Sequence, residues 1–377
     1  MKKTRDVYVI GVGMTKFARH PDRNFISLGE EAMRAALADA GIGYEAIETA
    51  FCGHVMQGGT AGQKILDKIG RTGIPIANVE NACASGTTAF RSAWASVAFG
   101  MNDVALALGF EKMGRGPIKM SLGEETPPEN QPPMMPFIFA RIFEEHSALY
   151  GTTREQMALV SVKNHDNGAL NPRAQYQKPV TIEEVLNSRE IVGPLTLLMC
   201  CPTGAGAAAA IVCTEDVART VKAEPIRIVA SAFQSEKHAD PDHPLTGITE
   251  INQRTANLAY EMAGLKPDDI DVIELHDCFA IAEIIHYENL GLCKRGEGGK
   301  FIEEGMPKLG GKVAVSPSGG LLSKGHPLGA TGVAQVFEIV TQLRGKADQR
   351  QVKGAKIGLT HCQGFGGATG VHIFAKE

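Results

Sequence analysis

The sequence lacks several patterns that would place it in a common protein class. It has eight cysteines in 377 residues, but no two have the C-x-x-C spacing of a zinc ribbon or a dithiol redox motif. It contains no G-x-x-x-x-G-K-[ST] phosphate loop and no G-x-S-x-G nucleophile elbow. The stretch "GVGMTKF" lacks the third glycine of a dinucleotide fingerprint. These absences argue against a P-loop enzyme, a serine hydrolase and a dinucleotide-dependent enzyme.

Long hydrophobic runs and a strong charge of either sign are also missing. The longest apolar run, "GAGAAAAIVC" from Gly204, is much shorter than the roughly 20 residues that span a bilayer. The formal net charge is -4, which gives no reason to expect nucleic acid. The basic N-terminus is followed by a short apolar run and then by Lys16, which indicates a strand and not a signal peptide. Sparse cysteines do not indicate a secreted disulfide framework. We therefore expect a cytoplasmic protein without a membrane or nucleic-acid partner.

Apolar residues and glycine are abundant instead. Hydrophobic residues make up 44% of the chain and charged residues 21%, which favours a large buried core. There are 43 glycines, about 11% against a usual 7% or so, which indicates close backbone packing or tight turns. The length predicts two core-forming units with an insertion.

The order of hydrophobic segments predicts an α/β fold. In the first part of the chain, strands and helices alternate: strand 6–15, helix 27–42, strand 47–55, helix 85–101 and strand 103–113. Ser27 is the expected N-cap of the first helix and Gly41 its stop. Such alternation predicts a sheet of parallel strands.

The pattern recurs in the second part. The expected elements are a strand at 225–235, a helix within 252–270, a strand at 271–280, a helix at 329–345 and a hairpin at 356–377. Residues 36–55 and 261–280 both run from a helix end through an acidic turn into a strand, which indicates two related halves. We predict an N-terminal half at 1–223, with a loop or cap insertion at about 114–190, and a C-terminal half at 224–377. Residues 202–216 are expected to return to the N-terminal half as a strand.

A single thiol precedes the helix of small residues, in "NACASGTT" at 81–88. Near a helix N-terminus, unpaired N–H groups and the helix dipole favour the nucleophilic thiolate. Small neighbours would let a substrate approach Cys83. The alternative is a structural cysteine, because free cysteine is among the most buried residue types. This stretch alone leaves both interpretations open.

Three other stretches carry reactive side chains. Glycines flank His326 in "SPSGGLLSKGHPLGATG", where a rigid loop could present an imidazole that takes a proton from a thiol. The stretch "ELHDCFA" places His276, Asp277 and Cys278 at a strand end. Cys362 begins the glycine run of "CQGFGG", whose amides could line an oxyanion pocket. Each could instead be a passive turn or strand end.

Together, Cys83 in "NACASG", His276 in "HDCF", His326 in "GGLLSKGHPLGATG" and Cys362 in "CQGFGG" resemble the thiolase superfamily. The "HDCF" form resembles its sterol-carrier-protein-type and archaeal branch. The resemblance covers nearly the whole chain, and the glycine-histidine-proline block is its most specific part. It implies a five-layer α-β-α-β-α fold. It also implies cleavage of a 3-ketoacyl-CoA by CoA, or the reverse Claisen condensation, with CoA as co-substrate and no bound cofactor or metal.

The resemblance also implies roles for the matching residues. Cys83 would be the acylated nucleophile and His326 its general base. His276 would help to form the oxyanion hole, and Cys362 would carry the proton to and from the α-carbon. In the branch with "HDCF", the cysteine of that motif is thought to replace the C-terminal one, yet this chain has both Cys278 and Cys362. We favour Cys362 because it begins a C-x-G pattern.

Two other functions are compatible with the same motifs. A ketosynthase-like condensing enzyme would use a cysteine and two histidines, but its decarboxylating reaction needs no second thiol. A carrier of acyl-CoA or lipid would need none of the four reactive side chains. The resemblance further implies a homodimer or dimer of dimers and a small OB-fold, zinc-binding partner protein. The stretch "PPMMPFIFARIF" at 132–143 could wall a pocket for a bulky or aromatic acyl group.

Overall fold

A computed structural model describes residues 4–114, 116, 134–237 and 243–377. Its strands are β1 (Val7–Met14), β2 (Thr49–Gly53), β3 (Ile76–Val79), β4 (Val104–Lys112), β5 (Glu190–Val192), β6 (Leu195–Thr196), β7 (Ala205–Thr214), β8 (Ile226–Ser235), β9 (Val272–Glu274), β10 (Ala314–Val315), β11 (Ile357–Gly364) and β12 (Ala368–Ala375). Its α-helices are α1 (Phe25–Ala40), α2 (Ala61–Leu66), α3 (Ser85–Ala98), α4 (Met134–Tyr150), α5 (Arg154–Ala169), α6 (Ile182–Leu186), α7 (Glu215–Ala218), α8 (Pro244–Ala263), α9 (Ala280–Asn289), α10 (Gly298–Glu303) and α11 (Thr331–Leu343).

The first five-stranded unit has the order β1-β7-β4-β2-β3. Strand β2 pairs in parallel with both β3 and β4, as the alternation of strands and helices predicts. Strands β1, β2 and β4 of this alternation all run in one direction, because β7 lies between β1 and β4 and is antiparallel to both. Residues 205–214 thus do return to this sheet, and their alanines and glycine fill its buried centre.

The second unit repeats this arrangement with the order β8-β12-β11-β9-β10. Strand β12 takes the place of β7 and is antiparallel to both neighbours. The two units join where β1 pairs with β8, with Tyr8 opposite Arg227. The boundary at 223/224 stays a prediction.

Helices α3 and α11 form the layer between the two units. Each contacts strands of both units, and every residue of α11 except Thr341 is buried. Helices α1 and α2 pack on the outer face of the first unit, and α8 packs on that of the second. The result is an α-β-α-β-α arrangement in which the N-terminal ends of α3 and α11 meet at the centre.

Glycines allow this close approach. A Cβ atom at Gly332 would lie 2.3 Å from the Thr87 nitrogen, and one at Gly86 would lie 2.6 Å from the Gly329 oxygen. Both obstacles are backbone atoms, which cannot rotate away as a side chain can.

We expect Gly332→Ala to lower the apparent free energy of unfolding by about 3 kcal/mol, because the added methyl group forces α3 and α11 apart. Gly59→Ala is the matched control, since a Cβ there meets nothing within 4 Å. It should change stability by less than about 0.5 kcal/mol. Urea unfolding followed by circular dichroism measures both. Equal stability of the two variants would contradict this packing.

Two local expectations need correction. Helix α1 begins at Phe25 and not after Ser27, because the Asn24 side chain caps it by accepting a hydrogen bond from the Ser27 N–H. Its predicted end is right, since Gly41 has a φ of 69° there. The strand expected at 271–280 is only β9 (Val272–Glu274), so His276, Asp277 and Cys278 lie in the following loop.

The predicted insertion at about 114–190 contributes helices over the second unit. Residues 115 and 117–133 of this segment lie outside the described residues. Helix α4 packs against α8 and α9, and α5 packs against α6, α9 and α10. Helix α5 also contacts the turn at 320–324, so the segment supports the loop that leads to His326. In the part of the chain that the structure describes, no helix has the length and apolarity needed to cross a membrane.

Candidate active site

Cys83 lies in the tight loop between β3 and α3. The Ser85 side chain fixes this loop, because its hydroxyl donates to the Ala82 oxygen (2.7 Å) and accepts from the Asn81 N–H (2.9 Å). Ala82 has a φ of 47°, a conformation that few non-glycine residues adopt. The small residues around Cys83 thus serve a strained turn as well as close packing.

Burial acts against the thiolate form of Cys83 that the helix N-terminus favours. Cys83 precedes the first residue of α3 by two positions, and the side chain is half-buried. Loss of water around the sulfur raises the pKa of Cys83 to about 12, although the Phe365 and Cys83 amides act in the opposite direction. Desolvation therefore outweighs the helix N-terminus, and the thiol needs a base before it can attack.

Two histidines stand beside the thiol. The Cys83 sulfur and a ring nitrogen of each of His276 and His326 all lie within 4.8 Å of one another. The two rings are nearly perpendicular, with centroids 5.0 Å apart. The structure thus brings together three residues that are up to 243 positions apart in the sequence.

The hydrogen bonds of His326 define its tautomer. Its Nδ1 lies 2.7 Å from the Thr331 hydroxyl, and that hydroxyl donates to the Pro327 oxygen (3.0 Å). Because the hydroxyl proton is used there, the Thr331 oxygen accepts from Nδ1–H of His326. The buried Nε2 has no hydrogen-bond partner and keeps its lone pair. Burial also lowers the pKa of His326 well below its ordinary value, so the ring is neutral at pH 7 and able to accept a proton.

We expect Thr331→Val to lower kcat by roughly 10-fold to 100-fold, because a buried Nδ1–H without an acceptor costs about 1–3 kcal/mol and disfavours this tautomer. Thr331→Ser keeps the hydroxyl and should stay within a few-fold of the natural enzyme. Steady-state thiolysis kinetics compare the two. Loss of activity in both variants, or in neither, would contradict the role of the hydroxyl.

Cys362 joins this group from β11. Its sulfur lies 3.3 Å from the Cys83 oxygen and 3.5 Å from Nδ1 of His276. The residue is almost fully buried, and burial raises the pKa of the thiol well above its ordinary value. A neutral thiol that touches the nucleophile's backbone can donate a proton at this point.

Cys278 lies close by in a different environment. Its side chain belongs to the apolar cluster that includes Phe279, Ile281 and Phe139. Its backbone oxygen accepts a hydrogen bond from the Cys201 N–H (3.0 Å). Burial raises the pKa of the Cys278 thiol as well, and the thiols of Cys201, Cys83 and Cys362 act in the same direction.

Asp277, whose role no local pattern indicates, holds the two histidine-bearing loops together. Its carboxylate accepts from the N–H groups of Leu321 (2.8 Å) and Leu322 (3.2 Å) and from the Asn164 side chain (2.8 Å). Gly320 is required there, because a Cβ would lie 2.2 Å from the carboxylate. Asp277 thus ties the loop after β9 to the turn that precedes His326.

Glu111 performs a similar task on the other side. Its buried carboxylate accepts from the N–H groups of Val55 (2.9 Å), Met56 (3.1 Å) and Gly329 (3.2 Å). The carboxylate therefore links the first unit to the loop that carries His326. The one sequence feature that could have indicated a role for Glu111 is its position at the end of an apolar strand.

His361 supports Cys362 and His276 from behind. Its Nδ1 accepts from the His276 N–H (3.4 Å), and its Nε2 lies 2.7 Å from Oδ1 of Asn252. Gln335 donates to the His361 oxygen (3.0 Å). Asn252 and Gln335 come from α8 and α11, so neither could be linked to the site from local sequence.

Among the buried histidines of the described residues, five whose pKa lies far below its ordinary value make the fold sensitive to acid, in opposition to two buried carboxyl groups whose pKa is raised. The histidines are His276, His286, His326, His361 and His372. Burial lowers the pKa of each, to about 3 for His276, His361 and His372. Burial raises the pKa of Asp277 to about 7 and also raises that of Glu111.

We therefore expect stability to fall as the pH drops from about 6.5 towards 4. In this range the unfolded chain protonates its histidines while the folded chain does not, at up to about 1.4 kcal/mol per pH unit for each histidine. The carboxyl groups have the opposite effect, but there are fewer of them. Calorimetry in buffers of different ionisation enthalpy should show net proton uptake on unfolding at pH 5.5. Net proton release would contradict this balance.

Two family models match the chain. The chain matches the family model "Thiolase, N-terminal domain" over residues 7–236 and "Thiolase C-terminal domain-like" over residues 231–376. The chain belongs to the thiolase family.

Similar thiolase-family proteins cover almost all of the chain. An acetyl-CoA acetyltransferase of Methanothermobacter thermautotrophicus is 44% identical over 384 residues, which cover 99% of this chain and 100% of that protein. Sterol carrier protein 2 of Bos taurus is 43% identical, over 98% of this chain and 72% of the relative. The benzoylsuccinyl-CoA thiolase subunit BbsB of Thauera aromatica is 38% identical, over 97% of this chain and 96% of the relative. The predicted branch is therefore confirmed.

Solved structures show the thiolase fold. The Ltp2-ChsH2(DUF35) aldolase has a TM-score of 0.86 at 25% identity and covers 100% of this chain and 99% of that chain. Human mitochondrial 3-ketoacyl-CoA thiolase has a TM-score of 0.75 at 19% identity, over 99% of each chain. These matches confirm the five-layer fold, and the thiolase family confirms the predicted class of enzyme, a CoA-dependent acyltransferase. The roles of Cys83, His276, His326, Cys278 and Cys362 stay predictions.

Proposed function

We propose that this thiolase cleaves a 3-ketoacyl-CoA with CoA, or runs the reverse Claisen condensation, through an acyl thioester on Cys83. The observation that carries the proposal is the meeting of Cys83, His276 and His326 within 4.8 Å, with Cys362 in contact. CoA acts as co-substrate, and the chain supplies the nucleophile, base and acid from its own side chains.

In the first half-reaction, Nε2 of His326 takes the Cys83 proton and the thiolate attacks the 3-keto carbon. His276 and nearby amides stabilise the oxyanion. The bond between C2 and C3 then breaks, and its electron pair remains on C2 as the enolate of acetyl-CoA. Cys362 donates its proton to C2. The products are acetyl-CoA and an acyl group on Cys83.

In the second half-reaction, the thiol of CoA attacks the acyl thioester. The proton of CoA moves to a site base, and Cys83 leaves as a thiolate that is then reprotonated. Thiolate is a good leaving group as well as a good nucleophile, which suits two successive acyl transfers. Acyl-CoA is released, and the protons and thiols of the site return to their starting state.

We further propose a bulky or aromatic acyl group as substrate. Phe139 of α4 stacks on Phe279, with ring centroids 4.4 Å apart, and Phe279 directly follows Cys278. The relative named benzoylsuccinyl-CoA thiolase supports this class. Residues 132 and 133 of the predicted pocket wall lie outside the described residues.

A panel of 3-ketoacyl-CoAs tests the acyl specificity. We expect aromatic or branched substrates to have a higher kcat/KM than acetoacetyl-CoA. Phe139→Ala should reduce this preference, whereas Phe137→Ala, on the same helix and 46% exposed, should retain it. A clear preference for acetoacetyl-CoA would contradict the proposed substrate.

Two observations favour other functions, and the products distinguish them. The relatives named sterol carrier protein 2 favour a carrier, which would release its ligand unchanged. The similarity to a structure named as an aldolase favours carbon–carbon cleavage without acyl transfer. Formation of a new acyl-CoA from a 3-ketoacyl-CoA and CoA is expected only of a thiolase.

The proposed assembly is a homodimer or a dimer of dimers joined through the edge of the first unit. Strand β3 forms that edge, pairs with β2 alone among the described strands, and exposes Ala77 and Asn78. A small OB-fold, zinc-binding partner is proposed as well, supported by the Ltp2-ChsH2(DUF35) neighbour, which pairs two components. The proposed compartment is the cytoplasm, where the reactive thiols would stay reduced.

A further inference from the structure

The three residues around the nucleophile also form a set of metal ligands. Cys83 offers a thiolate sulfur, and His276 and His326 each offer an imidazole nitrogen. Sulfur and imidazole together are donors that suit Zn²⁺, and three protein ligands with one open position are common at zinc sites that bind an exchangeable molecule.

His326 is prepared for a metal ion by its neighbours. Its Nε2 is buried and has no hydrogen-bond partner, whereas its Nδ1–H is held by the Thr331 oxygen at 2.7 Å. Metal-binding histidines usually donate the other ring N–H to such an acceptor, which fixes the ring and strengthens the ligand. The lone pair of Nε2 is therefore available.

The dimensions of the site are close to those of a tetrahedral zinc ion. Zinc–sulfur and zinc–nitrogen bonds of about 2.3 and 2.0 Å place neighbouring ligand atoms about 3.5 Å apart. The ligand atoms here lie within 4.8 Å of one another, so a contraction of at most about 1.3 Å closes the set. Cys83 is only half-buried, unlike His276 and His326.

We propose that Cys83, His276 and His326 bind one Zn²⁺ ion, which reversibly blocks the nucleophile. On binding, the zinc–sulfur bond replaces the S–H bond, and the thiol proton passes to the buffer. Both imidazoles bind as neutral rings, and water fills the fourth position. The electron pair with which the Cys83 sulfur binds the metal ion is the pair with which it attacks the substrate. Metal binding and acylation of Cys83 therefore exclude each other.

Metal binding can be measured without any catalytic assay. Cd²⁺ is the probe, because thiolate-to-cadmium charge transfer gives an ultraviolet band for each bound thiolate. We expect Cys83→Ala to lose a band equivalent to one thiolate. Cys293→Ala, which removes another partly exposed thiol, and Cys362→Ala should both keep it. An unchanged band in Cys83→Ala, or a band lost only in Cys362→Ala, would overturn the proposal.

Three further variants test the nitrogen ligand from His326. His326→Gln should weaken Zn²⁺ binding at least 10-fold in competition with a zinc-sensitive dye, because one of three ligands is lost. Thr331→Val should weaken it roughly 10-fold by releasing the ring. Thr331→Ser should bind as the natural chain does. Equal affinity in all four proteins would show that the metal ion is held elsewhere.

Only the inhibition rests on the proposed function, so the two can fail separately. Micromolar Zn²⁺ should inhibit thiolysis, and a chelator should restore it. Cadmium binding at Cys83 in a protein without thiolase activity would contradict the proposed function and leave the metal site standing. Full thiolase activity with no loss in saturating Zn²⁺ would overturn the inference and leave the function standing.

Discussion

Replacing Cys83 by serine is expected to lower turnover about 10⁴-fold or more, in line with the loss of a nucleophile in other covalent enzymes. A serine hydroxyl is far less acidic than a thiol, and its alkoxide is a poorer leaving group when CoA attacks. His326 can accept a proton from a thiol whose pKa burial has raised to about 12, but a hydroxyl is harder still to deprotonate.

The fold should survive this change, because sulfur and oxygen differ little in size and the side chain is half-buried. Circular dichroism and the unfolding midpoint check this point. Cys293→Ser serves as the control for thiol loss away from the site and should keep near-normal turnover. A Cys83→Ser enzyme with near-native turnover would remove Cys83 from the mechanism.

Replacing Cys362 by alanine is expected to leave acylation of Cys83 by an acyl-CoA largely intact. It should lower condensation and α-proton exchange by roughly 10² to 10⁴-fold, as the loss of a general acid–base group does. The reason is positional, since the Cys362 sulfur lies beside the Cys83 backbone and the His276 ring. Deuterium uptake into the methyl group of acetyl-CoA in heavy water measures the exchange directly.

Cys278→Ala is the matched control for this experiment. Its thiol packs in an apolar cluster, so the variant should lose roughly 1 kcal/mol of stability and retain proton exchange. The opposite pattern, with Cys278→Ala inactive in exchange and Cys362→Ala active, would assign the proton shuttle to the "HDCF" cysteine.

Local patterns were sufficient to predict most of the elements and the reactive side chains. Helix α3 follows from its run of small residues and β4 from its apolar run, and both lie where the sequence indicates. The four motifs predicted the residues that meet at the centre of the fold, and three of them combine a reactive side chain with the glycines or small residues that its loop requires.

Features that depend on distant residues could not be predicted in this way. Strand β7 enters the sheet after the inserted segment. Its antiparallel pairing with β1 and β4 could not be predicted from the alternation of the earlier strands and helices. The pKa of Cys83 depends also on burial by other loops, which a prediction based only on the following helix does not include. Likewise, Asn252 and Glu111 act on the site from elements that carry no catalytic motif.

The most direct test of the account is the mass of the natural enzyme after brief incubation with acetyl-CoA. We predict a species heavier by one acetyl group that reverts to the starting mass when CoA is added. Peptide mapping after acid quench should place the acetyl group on Cys83, and iodoacetamide treatment before incubation should prevent its formation. An enzyme that forms acyl-CoA without any acyl-protein species, or that carries the acetyl group on another cysteine, would contradict the central claim.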